Sequence, residues 1–276
     1  MPRRSQKVVP RLAQCRVTRV TLTGGEPTLH PDFMAIVRAF RDAGMQVGVC
    51  TNATTLDADQ IAELAAMGGV HCNVSLDGFA AESHGRFRGD RASFDITVTT
   101  VKRLAEAGLL QGLLCTPNTL ARNEEYAELC AFAREHGARY VLLNPLGSMG
   151  RGVKSQRTLA KTTLHMQEIF ERTVGFDGPD LDIAHIRFPN TAGKPLAGCE
   201  AGTILYVFTP GEVTVCPYLV FAARTAGFTA SRLRIFCTSS PIRNGWPVTL
   251  LNWIVSTPSL SRSSVASWPM FISGTR

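Results

Sequence analysis

The chemistry that this sequence can perform starts with a carboxylate placed directly behind two glycines. Gly24, Gly25, Glu26 and Pro27 follow the apolar run at 17–22. Because glycine has no side chain, the backbone can approach a ligand closely there, and the Glu26 carboxylate can accept hydrogen bonds from an ammonium group. On its own, such a tetrapeptide is equally typical of a plain turn between a strand and a helix.

A second polar group follows about fifty residues later in the chain. Ser75 and Asp77 end an apolar run, and His84 and Arg88 come soon after them. A hydroxyl and a carboxylate can bond the oxygens of a ribose or a carboxyl group, and a guanidinium pairs with a carboxylate through two parallel hydrogen bonds. The alternative is that these are solvated charges on a loop.

The cysteines are too far apart to form a compact metal or redox motif. The eight lie at positions 15, 50, 72, 115, 130, 199, 216 and 237, with neither CxxC nor CxxxCxxC among them. This spacing excludes zinc ribbons and thioredoxin-type pairs, whose sulfurs come from one tight turn. We expect Cys50, Cys72, Cys115 and Cys130, which lie in apolar runs, to be small buried residues.

The elements that must position these residues follow a regular alternation. Short apolar runs rich in β-branched residues lie at 17–22, 46–50, 70–76, 112–116 and 140–143, and amphipathic segments separate them. Strand and helix repeated in this way predict an α/β fold with parallel strands. The segment after each run is polar or glycine-rich, and in such folds the carboxyl ends of the strands form the ligand-binding edge.

Composition sets limits on the class of protein. With 276 residues and 45% hydrophobic content, the chain can bury one sizeable core. No apolar run approaches the ~18 residues that a bilayer crossing needs, and the basic N-terminus lacks the apolar stretch of a signal peptide. We therefore expect a cytoplasmic protein with no membrane partner.

The net charge of +7 comes almost entirely from the C-terminal tail. Residues 222–276 hold six Arg, no Lys and no acidic residue, which leaves 23 basic against 22 acidic residues in 1–221. A nearly balanced charge argues against a nucleic-acid-binding face, and we expect no nucleic-acid partner. The tail also lacks a steady period, so we expect 222–276 to be an out-of-frame or otherwise non-native C-terminus.

Three stretches together resemble the radical S-adenosylmethionine (SAM) superfamily: VTLTGGEPTLHPDF, CTNATTL and NVSLDGFAAESHGRFRGDRASFD. The resemblance covers about residues 15–221. It is strongest for the branch with a C-terminal SPASM domain, which includes peptide maturases and the maturation enzymes of pyrroloquinoline quinone and mycofactocin. It implies a partial (β/α) TIM-like barrel that binds SAM, followed by a small SPASM-like iron–sulfur unit.

The resemblance also implies a set of cofactor-binding residues at the carboxyl edge of the barrel: Gly24, Gly25, Glu26, Pro27, Thr51, Asn52, Ser75, Asp77 and Arg88. Glu26, with the two glycines, would hold the methionyl amino group of SAM. Ser75 and Asp77 would contact its ribose or carboxylate, and Arg88 matches the arginine of the following loop. The alternative for Asp77 is that it only caps its own turn.

The SPASM resemblance rests on Cys199 and Cys216, with eleven residues between Cys199 and Gly211 and four between Gly211 and Cys216. It implies a β-hairpin that turns at Gly211 and brings both thiolates to an auxiliary 4Fe–4S cluster; the adjacent Pro210 is a common turn residue. A cluster normally needs four thiolates. The predicted domains are a partial barrel at 1–150, a connector at 151–194, a SPASM-like unit at 195–221 and the tail at 222–276.

Two features depart from the family pattern. The CxxxCxxC that would hold the radical SAM cluster is absent, since only 23 residues precede Gly24, and the later SPASM cysteines are missing except for Cys237. We therefore expect a chain that is truncated at the N-terminus and altered at the C-terminus, with no ligands for the catalytic cluster.

The predicted function is that of a radical SAM enzyme, or a fragment of one. Such an enzyme would generate a 5′-deoxyadenosyl radical that abstracts hydrogen from a peptide or cofactor-precursor substrate, with a flavodoxin or ferredoxin as electron donor. Two alternatives stay open: a catalytically inactive SAM-binding or scaffold protein, and a tetrapyrrole-modifying radical SAM enzyme of the haem d1 type.

Overall fold

The fold is known from a computed structural model that describes residues 2–147, 152–186, 204–207, 213–214 and 270–273. The strands are β1 (Arg19–Leu22), β2 (Gln46–Thr51), β3 (Val70–Ser75), β4 (Leu110–Cys115), β5 (Tyr140–Leu143), β6 (Asp182–His185), β7 (Ile204–Val207), β8 (Val213–Thr214) and β9 (Met270–Ser273). The helices are α1 (Pro2–Gln14), α2 (Phe33–Asp42), α3 (Ala58–Met67), α4 (Arg86–Arg88), α5 (Ser93–Glu106), α6 (Glu125–Glu135), α7 (Gly152–Leu159) and α8 (Thr163–Thr173). The described residues also contain short 3-10 helices at Pro27–Leu29 and Val174–Phe176 and a π-helical turn at Ala81–Gly85.

The chain divides into two compact units. One is Val49–Cys199, and the other combines Met1–Gly48 with Glu200–Arg276. The boundaries predicted at 150, 194 and 221 remain a prediction.

The unit Val49–Cys199 is built on parallel strands. β3, β4, β5 and β6 pair in this order, so that Asn73 lies opposite Gly112, Gly112 opposite Tyr140, and Tyr140 opposite Asp182. Helices connect each strand to the next, with α5 before β4, α6 before β5, and α7 and α8 before β6. This arrangement confirms the expected α/β class with the strand and helix alternation of a partial β/α barrel.

The two faces of β3 differ in polarity. Val70, Cys72 and Val74 are at most 2% exposed, on the face where α3 and α5 pack against the strand. Successive side chains of a strand point to opposite faces, so Asn73 and Ser75 lie on the other face. The strand therefore combines an apolar face for the core with a polar face that ends near its carboxyl edge.

Local signals fix the ends of two helices in this unit, as the sequence predicts. Asp57 accepts a hydrogen bond from the Gln60 backbone while the Gln60 side chain accepts one from the Asp57 backbone, which is the reciprocal capping box at the start of α3. After α6, Gly137 adopts a φ of +68°, a left-handed conformation that ends a helix and suits glycine.

The stretch predicted as a connector with one central helix contains more regular structure than expected. It holds α7 as well as α8, and it adds β6, which pairs in parallel with β5. Asp182 and Ala184 of β6 are exposed, while Ile183 and His185 are half-buried. β6 escaped the sequence prediction because it lacks the continuous apolar run that marks a strand buried on both faces.

In the other unit, the described strands pair in antiparallel fashion. β7 pairs with β8 through Tyr206 opposite Thr214 and Val207 opposite Val213, and β9 lies against both β1 and β7. The antiparallel pairing of β7 and β8 confirms the hairpin predicted around Gly211. Gly211 itself lies outside the described residues.

Several predictions fall on residues that the structure does not describe. Cys199, Cys216 and Cys237 lie outside the described ranges, as does the predicted tail at 222–276 except for β9. Within the described part of the chain, no helix combines the length and the apolar character that a bilayer crossing requires.

Candidate functional site

The centre of the candidate site is Asp77, two residues beyond the end of β3. Its side chain is 1% exposed, and both carboxylate oxygens have protein donors. Oδ1 accepts a hydrogen bond from the Thr116 backbone N–H at 2.8 Å, and Oδ2 is 2.5 Å from Nε of Arg88. Asp77 therefore does more than cap its own turn: its carboxylate joins the ends of β3 and β4 and holds the Arg88 side chain.

Asp77 contacts Nε of the Arg88 guanidinium, which leaves the two terminal nitrogens of Arg88 available to a ligand. The side chain is 33% exposed, and Asp77 is its one partner within the described ranges. Gly89, with a φ of +85°, ends the short helix α4 directly after it. With Nε fixed on Asp77, the two terminal nitrogens keep their planar fork and can pair with the carboxylate of a ligand.

The buried His84 side chain also stabilises the turn at Asp77. The ring is 1% exposed, and its Nδ1 accepts the Asp77 backbone N–H at 3.1 Å. Burial lowers the pKa of His84 to about 4; the Asp77 charge acts in the opposite direction and the Arg88 charge lowers it further. His84 is therefore neutral at pH 7 and serves as an acceptor that shapes the Asp77 turn, a role that the sequence did not indicate.

Ser75 provides a hydroxyl at the end of β3. It is half-buried, and within the described residues its side chain makes no hydrogen bond. Its position two residues before Asp77 places it at the same carboxyl edge. A hydroxyl of this kind can donate to or accept from a sugar hydroxyl.

Thr51 and Asn52 are occupied in building their own turn after β2. Thr51 Oγ1 accepts the Ala53 N–H at 2.9 Å, and Asn52 Oδ1 accepts both the N–H and the hydroxyl of Thr54 at 2.9 and 2.8 Å. These bonds hold Ala53 at a φ of +60°, in the left-handed region. Thr97 of α5 donates to the Asn52 carbonyl at 3.0 Å and fixes the turn against that helix. A ligand-lining role for Thr51 and Asn52 remains a prediction.

Gly24, Gly25, Glu26 and Pro27 belong to the other unit, where they follow β1 directly. Glu26 caps the 3-10 helix that Pro27 begins: its Oε1 accepts the Thr28 N–H at 3.2 Å and the Thr28 hydroxyl at 2.7 Å. The side chain is half-buried. One carboxylate oxygen of Glu26 therefore has a structural role in its own turn.

The structure adds residues after β4 that the sequence did not single out. Asn118 is fully buried; its Nδ2 donates to the Asp77 carbonyl at 2.8 Å, and its backbone N–H donates to the Tyr126 hydroxyl at 2.9 Å. Glu125 of α6 is 3% exposed and bonds the segment after Asp77. The polar segment after β4 was the signal for Asn118; no local signal marks Glu125.

The described residues do not fit an iron–sulfur cluster. Among them, no group of three or more His, Cys, Asp or Glu side chains is placed to hold a metal ion. Burial raises the pKa of the Cys115 thiol and raises that of Cys130 to about 12, so neither is a thiolate at neutral pH. Together with Cys72, which is also buried, they are the small core residues expected from the sequence, whereas this expectation is wrong for Cys50, which is only half-buried.

With this geometry established, comparison with known proteins gives three results. The profile of the Radical SAM superfamily matches residues 3–142. The mycofactocin maturase MftC of Mycolicibacterium smegmatis is 28% identical over 226 residues, which cover 80% of this chain and 57% of that protein. The AdoMet-dependent heme synthase of Methanosarcina barkeri is 36% identical over 135 residues, or 49% of this chain and 38% of that protein.

Solved structures resemble the fold over a similar range. Streptococcus suis SuiB bound to S-adenosylmethionine matches with a TM-score of 0.64 at 16% identity, covering 80% of this chain and 55% of that one. SuiB bound to its precursor peptide SuiA matches with a TM-score of 0.65 at 17% identity, covering 80% and 54%. The chain thus spans a little over half the length of the relatives that it resembles over most of its own length.

Proposed function

Because the chain belongs to the radical SAM superfamily, we propose that it binds SAM at the carboxyl ends of its parallel strands as part of a peptide-modifying enzyme. Enzymes of this superfamily use SAM with a 4Fe–4S cluster, which supplies the electron that cleaves SAM to a 5′-deoxyadenosyl radical. The part that this chain's described residues play is to bind and orient SAM.

The observation that carries the proposal is the pair formed by Asp77 and Arg88. Asp77 is buried and fixes Nε of Arg88, while Arg88 remains one-third exposed. A guanidinium held in this way has lost its rotational freedom before the ligand arrives, so less entropy is lost on binding. We assign the terminal nitrogens of Arg88 to the methionyl carboxylate of SAM.

A further residue of the unit Val49–Cys199 contributes to the proposed site. The Ser75 hydroxyl, without a side-chain hydrogen bond in the described part of the chain, is assigned to the ribose. Glu26 accepts hydrogen bonds from Thr28 in its own turn, and its expected role as an acceptor for the methionyl ammonium remains a prediction.

The substrate that we propose is a peptide, and a flavodoxin or ferredoxin is the proposed electron donor. Support for a peptide comes from MftC, named a mycofactocin maturase, and from SuiB, solved with the precursor peptide SuiA. A tetrapyrrole substrate has weaker support, because the heme synthase matches only half of the chain.

A second candidate function is SAM binding without cleavage. The observation that favours it is that the 276 residues contain no CxxxCxxC. Under this proposal, anaerobic incubation of the 276-residue chain with SAM and dithionite yields no 5′-deoxyadenosine above a control without protein. Detection of 5′-deoxyadenosine would show that other residues hold a catalytic cluster.

The auxiliary cluster assigned to Cys199 and Cys216 has its own test. After anaerobic reconstitution, the variant with Cys199→Ala and Cys216→Ala should hold less iron than the parent, because two thiolate ligands are gone. Equal iron content in parent and variant would remove both residues from the proposed site.

SAM binding itself is tested by calorimetric titration with two ligands. Arg88→Ala should weaken SAM binding by about 1–2 kcal/mol, roughly 5- to 30-fold, because a partly exposed charge-assisted contact is lost. Binding of 5′-methylthioadenosine, which lacks the amino-acid part of SAM, should not change.

A matched control is Arg91→Ala, since Arg91 lies close by, is 67% exposed and pairs with Glu82 at the surface. It should bind both ligands as the parent does. The assignment of Arg88 is wrong if Arg88→Ala binds SAM with parental affinity, or if it loses both ligands to the same extent.

A further inference from the structure

We infer that Glu125, on helix α6, is a positioning residue that sets the geometry of the Arg88 side chain for SAM. The inference rests on the proposed function, since it concerns how the same site is held in place. Its structural basis is a set of hydrogen bonds from one buried carboxylate to the segment between Asp77 and Arg88.

Glu125 bonds this segment at two points. Its Oε2 accepts the Phe79 backbone N–H at 2.9 Å and the Ser83 hydroxyl at 2.5 Å. Its other oxygen, Oε1, accepts the Arg122 backbone N–H at 3.0 Å. The carboxylate thus accepts three hydrogen bonds, two of them from the chain that leads from Asp77 to Arg88, and it also lies 3.6 Å from Nε of the Arg122 guanidinium.

The contact between Glu125 and this segment leaves no room for a side chain at Gly78. A Cβ added there would lie 2.5 Å from Ser83 Oγ and 3.2 Å from Glu125 Oε2. A Cβ essentially never approaches a heavy atom to 2.5 Å, so the segment can close on Glu125 only because residue 78 is glycine.

Helix α6 is also connected to the Asp77 turn through Tyr126 and Asn118. Tyr126, the next residue, accepts the Asn118 backbone N–H with its hydroxyl, and the Asn118 side chain donates to the Asp77 carbonyl. Two adjacent residues of α6 therefore hold the start of the segment, through Asn118, and its middle, through Phe79 and Ser83. Arg88 is at the far end of the segment, tied back to Asp77.

Glu125 acts through this segment and does not touch the ligand. It is 3% exposed, and both of its oxygens already have donors. Removal of its charge leaves buried donors without a full set of acceptors, which loosens the segment that aims Arg88. Arg88 should therefore bind the SAM carboxylate more weakly.

The variant that isolates this role is Glu125→Gln, which keeps the shape of the side chain. Its amide group offers one acceptor oxygen and one donor nitrogen, so the nitrogen must face at least one of the three N–H or O–H donors. Glu128→Gln is the matched control, because Glu128 lies nearly one turn further along α6, is 49% exposed and, among the described residues, pairs with Arg122 alone at 3.9 Å.

The test is a double-mutant cycle with Arg88→Ala, read out as SAM affinity by calorimetry. With Arg88 present, Glu125→Gln should weaken SAM binding about 3- to 10-fold. In the Arg88→Ala background, it should have no further effect, because the side chain it positions is gone. A role limited to overall stability would weaken binding equally in both backgrounds.

The outcomes of this cycle distinguish a failure of the Glu125 inference from a failure of the proposed carboxylate site. Equal losses in both backgrounds, or no loss in either while Arg88→Ala is weaker than the parent, would overturn the role of Glu125 alone. Parental SAM binding by Arg88→Ala would overturn the proposed carboxylate site and this inference with it. If Glu125→Gln does not fold, the milder Ser83→Ala replaces it in the same cycle, and additive effects of Ser83→Ala and Arg88→Ala would overturn the inference.

Discussion

Acidification should destabilise the unit Val49–Cys199 through one buried imidazole, that of His84. Its pKa is lowered from 6.5 to about 4, chiefly because burial penalises the charged ring. A protonated ring could not accept the Asp77 N–H at Nδ1, so protonation also breaks that hydrogen bond. The perturbation to apply is therefore a shift from pH 7 to pH 4.

The direction and size of the change in stability follow from the folded-state and unfolded-state pKa values of His84. Because the folded pKa lies below the unfolded one, the unfolded chain takes up the proton first as the pH falls. The contribution of His84 is fully present above pH 6.5 and is lost as the pH falls toward 4. With 1.36 kcal/mol per pKa unit, the loss between pH 7 and pH 4 is about 3 kcal/mol.

The assay is urea unfolding at several pH values, applied to the parent and to His84→Asn. The asparagine oxygen can accept the Asp77 N–H in place of Nδ1 but does not titrate. Between pH 7 and pH 4, the parent should lose about 3 kcal/mol more stability than this variant. His165→Asn, at an exposed position on α8, should retain the pH dependence of the parent. Identical pH dependence of the parent and His84→Asn, or an NMR titration that places the His84 pKa near 6.5, would show that burial of His84 does not cause the acid sensitivity.

Three smaller perturbations test the packing and the helix caps. Gly112→Ala should lower the free energy of unfolding, measured in urea, by about 1–3 kcal/mol, because the new Cβ would stand 2.7 Å from the Tyr140 ring. Gly175→Ala should leave it unchanged, because a Cβ at this position would have nothing within 4 Å. Cys130 should resist iodoacetamide at pH 8 in the folded protein and react in urea, since its pKa is raised to about 12; rapid alkylation without urea would contradict its burial. Asp57→Ala should cost about 0.5–2 kcal/mol, because α3 loses its N-cap; unchanged stability would show that the cap contributes nothing.

The parts of the fold that the sequence predicts are those with a strong local signal. β2 is readable because Val47 to Val49 are all buried, as expected for a continuous apolar run. The start of α3 is readable because Asp57 and Gln60 form a cap between residues three apart. β6 has no such signal: its alternate residues are exposed, and it is a strand because β5 offers it hydrogen bonds.

The same distinction applies to the candidate site. The resemblance to the superfamily indicated both Asp77 and Arg88, but as two separate ligand contacts. Their direct pairing depends on the π-helical turn and α4, which fold the chain back between them. Glu125 was not foreseen, because it lies 46 residues from Phe79 and 42 residues from Ser83 in the sequence. Long-range contacts of this kind have no local pattern in the sequence.

The most direct test of the proposed site is a crystal structure of this chain with SAM bound. We expect both terminal nitrogens of Arg88 to lie within about 3.2 Å of the methionyl carboxylate oxygens, while Nε remains on Asp77. A methionyl carboxylate that meets a different cation, with Arg88 turned toward solvent, would contradict this expectation.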